Sequence, residues 1–348
     1  MSAIDLLIGL LAGRQDPATL APKDWDGVIG VARAEVLLAT LAHQLDGASV
    51  PPAVAALFAD QRAAAAVAQK QALWEAEMAR RSLDPAGVEF VLLKGTAYAA
   101  ARLPCADGRQ IGDLDILVPW HDIGRAENLA LIDGWEWVKQ DAYDDAYYRD
   151  HMHELPPLIH AKRDRMIDVH HTILPRTHRV TPDALALVGD AVRTDMGFRV
   201  LNPADMVCHC AAHLIADGDL QGGLRNLWDF HCLTRDFAAA DPGFWDRLDQ
   251  RAAIHGLEGA VHRAARLARD VYGAQLSGCW DRHDPGDRWF VRRLMARDDW
   301  GRPTQFLMQQ AFYIRSHWLR MPPLMLARHL WTKWRKRHSD ASRGNSSS

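Results

Sequence analysis

Two aspartates within the run Gly112-Asp113-Leu114-Asp115-Ile116-Leu117-Val118 constrain this chain more than any other feature. Apart from the two acids the run is apolar and of strand length, and side chains on a strand alternate between faces. Asp113 and Asp115 therefore share one face, with Leu114 and Ile116 on the other. Like charges so placed repel one another unless a cation lies between them, and a divalent metal is the natural occupant. Upstream, residues 90–93 form a second apolar run short enough for a buried strand, broken by Lys94-Gly95-Thr96. The small residues 97–102 then begin a helix. A strand, a glycine turn and a helix start in succession offer backbone N–H groups to an anion, which is the geometry of a phosphate cradle.

From residue 88 to about 174 short strands alternate with one clear helix. Residues 121–132 have helical spacing and are closed by Asp133-Gly134, and residues 135–138, 155–160 and 166–173 read as strands. On the last of these Asp168 and His170 share a face, with Val169 and His171 on the other. His170 is placed either to contact phosphate or acceptor, or to stack as a satisfied core histidine. Residues 3–85 read as helices, with high propensity in the Ala-rich segments 54–58 and 61–78 and a break at Pro51-Pro52. Their expected job is packing against the sheet, although Trp74, Lys70, Glu75 and Glu77 could line a cleft.

After Pro182 the pattern is helical to the end. Residues 205–216 form one expected helix, carrying Cys208, His209, Cys210 and His213, and residues 220–234 the next, carrying Arg225, Trp228, Asp229 and His231. His209 and His213 are four apart and share a helix face, a spacing that can bind metal. No third ligand follows at a recognised zinc spacing, so a polar seam of His209, His213, Arg225 and Asp229, facing the cleft or paired between helices, is expected. Residues 244–272 read as two helices interrupted near Gly256, with Arg263, Arg266 and Arg269 on a solvated face.

The ordered set Leu93-Lys94-Gly95-Thr96, Arg109, the Asp113/Asp115 strand and the later Ile167-Asp168-Val169-His170 resembles the nucleotidyltransferase superfamily with the polymerase-beta-like fold. It is most similar to a poorly characterised bacterial branch of nucleotidyltransferase family proteins. The match is good over residues 90–170 and looser through residues 202–235. The resemblance implies an α+β fold with a small mixed β-sheet core over residues 86–180; the helical patterns around it give an N-terminal helical segment over 1–85 and a large helical region over 181–338, and the small polar residues 339–348 read as a disordered tail. It also implies magnesium-dependent transfer of a nucleoside monophosphate from a nucleoside triphosphate to an acceptor hydroxyl. Asp113 and Asp115 would hold two Mg2+ ions, for which Mn2+ could substitute, and Asp168 would be the third carboxylate that takes the hydroxyl proton. The phosphates would lie on Lys94, Gly95 and Thr96. Arg109 would neutralise phosphate charge or pair with Asp107 or Asp113. Many members of the superfamily have a second glycine or a serine where this chain has Thr96, which bears on the nucleotide pose. An ATP-dependent small-molecule phosphotransferase and a non-catalytic nucleotide- or partner-binding module are the alternatives.

With 48% hydrophobic and 24% charged residues, the 348-residue chain has the composition of a globular protein and room for two domains. No apolar run approaches the roughly 20 residues needed to span a bilayer. The apolar start carries Asp5 and no preceding basic residue, unlike a signal peptide, so a cytoplasmic location is expected. Five cysteines without a regular framework fit a reducing compartment and predict no disulfide-linked partner. Residues 300–339 contain eight Lys or Arg and no Asp or Glu, which leaves −11 on the remainder. Within that basic stretch, residues 312–338 interleave Tyr313, Trp318, Trp331 and Trp334 with the cations. Such a helix either docks on the domain with snorkelling side chains or meets an anionic partner, a membrane surface or RNA, which would make the protein peripheral to the membrane.

Overall fold

The computed structural model describes residues 1–138, 142–276 and 278–321, the side chains of residues 142–144, 217 and 279 excepted. Four helices come first: α1 (Ala3–Leu11), α2 (Pro22–Ala34), α3 (Leu38–Gln44) and α4 (Pro52–Leu83). The apolar N-terminal stretch is α1, buried along Ile4, Leu7, Ile8 and Leu11. Ser2 and Asp5 close its start reciprocally, each side chain taking the other's backbone N–H, which satisfies two otherwise orphaned donors. Pro52 opens α4, where a first-turn proline loses no hydrogen bond, and the alanines carry the helix unbroken through both expected segments.

The sheet region follows as β1 (Val91–Leu92), α5 (Lys94–Ala100), β2 (Asp113–Leu117), α6 (Ile123–Ile132), β3 (Trp135–Trp137), α7 (Ala142–His151), β4 (Leu158–His160), β5 (Met166–His170), α8 (Ala184–Gly189), β6 (Val192–Arg193) and β7 (Arg199–Val200). The seven strands lie in the order β3-β4-β5-β2-β1-β7-β6. β2 runs parallel to β5 and β1 parallel to β7, the remaining neighbours being antiparallel. The α+β expectation holds. Three elements depart from it. The α7 helix was not anticipated, and β6 and β7 carry the sheet past residue 180 into a stretch expected to be helical. Strands of two residues are too short to show alternation, and pairing with β1 is what makes β7 a strand.

One face of the sheet is apolar: Leu114, Ile116, Ile167 and Val169 are buried in the core. α4 lies against α5, α6 and β2. It is also tied to the turn after β4, where buried Glu75 accepts three hydrogen bonds from Arg163, whose guanidinium stacks over the half-exposed Trp74. Glu75 is thus a structural acid.

The helical region comprises α9 (Pro203–Ala211), α10 (Gly223–Ala240), α11 (Phe244–His255), α12 (Glu258–Tyr272), α13 (Asp287–Leu294) and α14 (Phe306–Arg320). Instead of one helix over 205–216, α9 gives way to a π-helical stretch, Ala212–Asp217, so the turn widens between His209 and His213. The break between α11 and α12 falls at Gly256, whose φ of 65° is a left-handed cap that a side chain would strain. The expected solvated face of Arg263, Arg266 and Arg269 is corrected. Arg263 and Arg266 both bind the buried Asp287 at the start of α13 and reach Asp284, and Arg269 holds Asp270 and Asp281. The buried Asp287 on the next helix draws Arg263 and Arg266 inward, which periodicity within α12 does not reveal.

Four cysteines, 105, 208, 210 and 232, are free and buried. Among the described residues no helix is long and apolar enough to cross a membrane. Residues 322–338, which hold most of the basic aromatic segment, and the expected tail over 339–348 lie outside the described residues.

Candidate functional site

The register of β2 on β5 builds the site. Asp113 faces Met166, Asp115 faces Asp168 and Leu117 faces His170, so in this parallel pair the acids of both strands project from one side. Asp113, Asp115 and Asp168 each offer a carboxylate oxygen, and the three lie within 4.8 Å of one another. Asp113 is exposed, Asp168 partly buried and Asp115 buried.

Lys94, the first residue of α5, has a left-handed φ of 48°, and its Nζ donates to Asp115 Oδ1 at 2.6 Å. His170 Nε2 meets the same oxygen at 3.0 Å. Both partners take Oδ1, which leaves Oδ2 as the oxygen turned to other use. Burial alone would raise the Asp115 carboxyl, but Lys94 and the His170 hydrogen bond hold it well below the usual carboxylate range. Burial would likewise lower Lys94, whereas Asp115 keeps it firmly protonated. Asp168 is the opposite case: burial, then the charges of Glu154 and Asp115, push it up to about 7. Three hard oxygen donors crowded this closely suit a small divalent cation such as Mg2+ or Mn2+, which would remove the repulsion.

Arg109 lies elsewhere. It pairs with neither Asp107 nor Asp113; its Nε donates to Asp229 Oδ2 at 3.0 Å. Arg225 Nη2 binds the other oxygen of Asp229 at 2.9 Å, and Arg225 Nη1 contacts Thr40 on α3. The Thr40 hydroxyl in turn donates to the Gly108 carbonyl at 3.2 Å. Gly108 has φ of 67°, and a Cβ there would come within 2.4 Å of the Ala39 carbonyl oxygen, so only glycine lets the loop dock on α3. A Cβ on Gly95 would come within 2.2 Å of Arg109 Nη1. Gly95 therefore makes room for a buried arginine, besides any contact it offers a ligand. Thr96 is buried, and its hydroxyl has no hydrogen-bond partner among the described residues.

The expected seam divides. Arg225 and Asp229 pair on α10, while His209 feels the charges of Lys94 and His170 near the acid cluster. Burial first, then Lys94 and His213, hold His209 well below the ordinary histidine value. Two residues beside the site escaped sequence reasoning. His153 stacks on His170 with ring centroids 5.2 Å apart, and Glu154 Oε2 lies 3.4 Å from His170 Nδ1. Both sit on a segment bridged to the end of β5, Glu154 opposite His170. The only sequence signal was their crowding as His151-Met152-His153-Glu154.

Residues 21–273, most of the chain, match the model of a family described as uncharacterised nucleotidyltransferase. The chain belongs to that family. It is an enzyme of the transferase class, and membership implies nucleotidyl transfer with a nucleoside triphosphate as substrate. The matched span contains the acid cluster, Lys94 and the helices that carry His209, Arg225 and Asp229. Comparison with curated proteins finds no match.

Proposed function

We propose that this member of the nucleotidyltransferase family moves a nucleoside monophosphate from a nucleoside triphosphate to an acceptor hydroxyl at Asp113, Asp115 and Asp168, with residues 86–180 as the catalytic core. The carrying observation is the register that sets Asp115 beside Asp168 and brings the three carboxylates within 4.8 Å. Asp113 and Asp115 hold two magnesium ions, and Asp168 completes the set. When bound, magnesium neutralises charge on the entering oxygen and on the departing pyrophosphate. Lys94, the first residue of α5, gives one ammonium N–H to Asp115 and offers the others to the triphosphate, and Gly95 and Thr96 form the first turn of that helix. Arg109, held by Asp229, steadies the loop that leads into β2 and adds positive potential behind it. Asp168, beside Asp115 in the register, accepts the proton of the attacking hydroxyl. The new bond joins acceptor oxygen to the α-phosphorus, the bond to the bridging oxygen breaks, and pyrophosphate leaves. His170, His209 and His213 border the acceptor side, with Arg225 and Asp229 as its structural backing.

Product analysis tests the reading. Each nucleoside triphosphate is incubated with Mg2+ and candidate acceptors, and pyrophosphate is expected. ADP in its place would establish phosphoryl transfer, and magnesium-dependent binding without turnover a binding module. The basic aromatic segment beginning on α14 is assigned to an anionic partner, a membrane surface or RNA. Association with anionic vesicles or RNA should disappear on deletion after Met321, and unchanged association would remove that assignment.

A further inference from the structure

Beside the three aspartates lies a second group of donors with different chemistry. Glu154 Oε2 stands 3.4 Å from His170 Nδ1 and 3.7 Å from His153 Nε2, and one donor atom from each residue falls within 4.8 Å of the others. Ligands at about 2.0–2.2 Å from a tetrahedral centre are separated by roughly 3.3–3.6 Å, so these spacings are near the edges of such a polyhedron. His170 is oriented from behind. Its Nε2 is engaged by Asp115, which turns Nδ1 toward Glu154, and a carboxylate behind a histidine is the usual support of a metal ligand. That Nδ1 is buried, on a residue only 1% exposed, and among the described residues it makes no hydrogen bond and is met by the Glu154 carboxylate. A ring nitrogen and a carboxylate facing one another at 3.4 Å are held by a positive species, either a proton on Nδ1 or a metal ion bound to both. The side chains of His153 and Glu154 are 13% and 19% exposed, which leaves a path from solvent.

We infer that His153, Glu154 and His170 form a site for a transition-metal cation of the zinc class, separate from the carboxylate site for magnesium. Two imidazole nitrogens and one carboxylate favour Zn2+ or Co2+ over Mg2+, whereas Asp113, Asp115 and Asp168 offer only hard oxygens. Three protein ligands leave a coordination position open. Asp115 joins the two sites, since it supports His170 through Oδ1 and contributes to the aspartate cluster. The inference stands on the donor geometry alone and does not depend on the transfer reaction.

The test uses the full chain with Co2+ as probe in excess Mg2+. Visible d–d absorption of four- or five-coordinate cobalt is read together with the bound metal per chain. A single magnesium-resistant ion with intense absorption is expected, retained in Asp113→Asn and lost in both His153→Gln and Glu154→Gln. Circular dichroism of each variant checks the fold, and two independent variants guard against one that unfolds. Cobalt that excess Mg2+ displaces, or absorption lost in Asp113→Asn and kept in the His153 and Glu154 variants, would assign the ion to the aspartates and overturn the inference. Absence of any tightly held cobalt would leave a protonated His170 paired with Glu154 and would overturn it equally. Failure of nucleotidyl transfer with the cobalt signal intact bears only on the proposed reaction.

Discussion

Asp205 on α9 and Asp168 on β5 are both carboxylates withdrawn from solvent, and their surroundings are opposite. Asp205, fully buried, accepts from Arg251 Nε at 2.6 Å, from Arg251 Nη2 at 2.5 Å and from Asn202 at 2.7 Å, with His255 Nε2 at 3.0 Å. Burial works against its charge, but His255 and Arg251 hold it below the usual carboxylate range. Asp168 has Asp115, Asp113 and Glu154 around it, and Lys94 hydrogen-bonds Asp115 instead. A buried acid whose charge is balanced by the chain is scaffolding. One left among other acids is completed only by something the chain does not itself supply.

The largest expected effect breaks the balanced side. Asp205→Ala leaves buried His255 without its carboxylate and Arg251 with Asp190 as its remaining acid, and should cost about 3–5 kcal/mol in chemical denaturation, with magnesium binding intact in the folded fraction. The unbalanced side should respond in the reverse sense. Asp113→Asn, at an exposed position, should change stability by no more than about 0.5 kcal/mol. Pyrophosphate release should fall on the order of 10²–10³-fold. Should Asp113→Asn destabilise and spare turnover, the contrast fails. Gly95→Ala comes next. The added methyl displaces Arg109 from Asp229 and should cost about 1–3 kcal/mol in thermal unfolding. A neutral result would mean that Arg109 is not held there.

The pH dependence sharpens the comparison with smaller effects of opposite sign. Asp168 is raised to about 7 in the metal-free fold, so the folded state holds a proton that the unfolded chain has lost. Its contribution is therefore favourable at low pH and is lost as pH rises from about 4 to 7. Magnesium binding at pH 6.5 should release most of this proton, which calorimetry in two buffers of different ionisation enthalpy would detect. His231 in the helical region is lowered to about 4 by burial and by Arg235. The unfolded chain then binds the proton first, and stability is lost as pH falls through about 6.5 toward 4. Between pH 7 and 5.5 this loss should be about 1 kcal/mol and should shrink in His231→Gln.

The acid cluster was legible because strand alternation is a local property. Once Asp113 and Asp115 share a face and Asp168 lies on a later strand of like pattern, only the register remains to be found, and β2 on β5 supplies it. The partner of Arg109 was not legible: Asp107 and Asp113 were near in sequence, yet Asp229 lies 120 residues on. Nor was the solvated reading of Arg263 and Arg266 sound, because Asp287 belongs to another helix. His153 and Glu154 carried no periodic signal, since their position comes from bridging to the end of β5.

Sequence by itself determined the class of fold, the order of strand, turn and acidic strand, and the presence of three carboxylates fit for a divalent cation. These follow from backbone periodicity and from charge, which act over a few residues. Only the tertiary structure decided which cation neutralises which acid, that Gly95 serves Arg109, and that His170 stands between two donor groups. Such partnerships depend on side chains from distant segments meeting in a medium where water no longer screens them, so they are fixed by packing rather than by spacing along the chain.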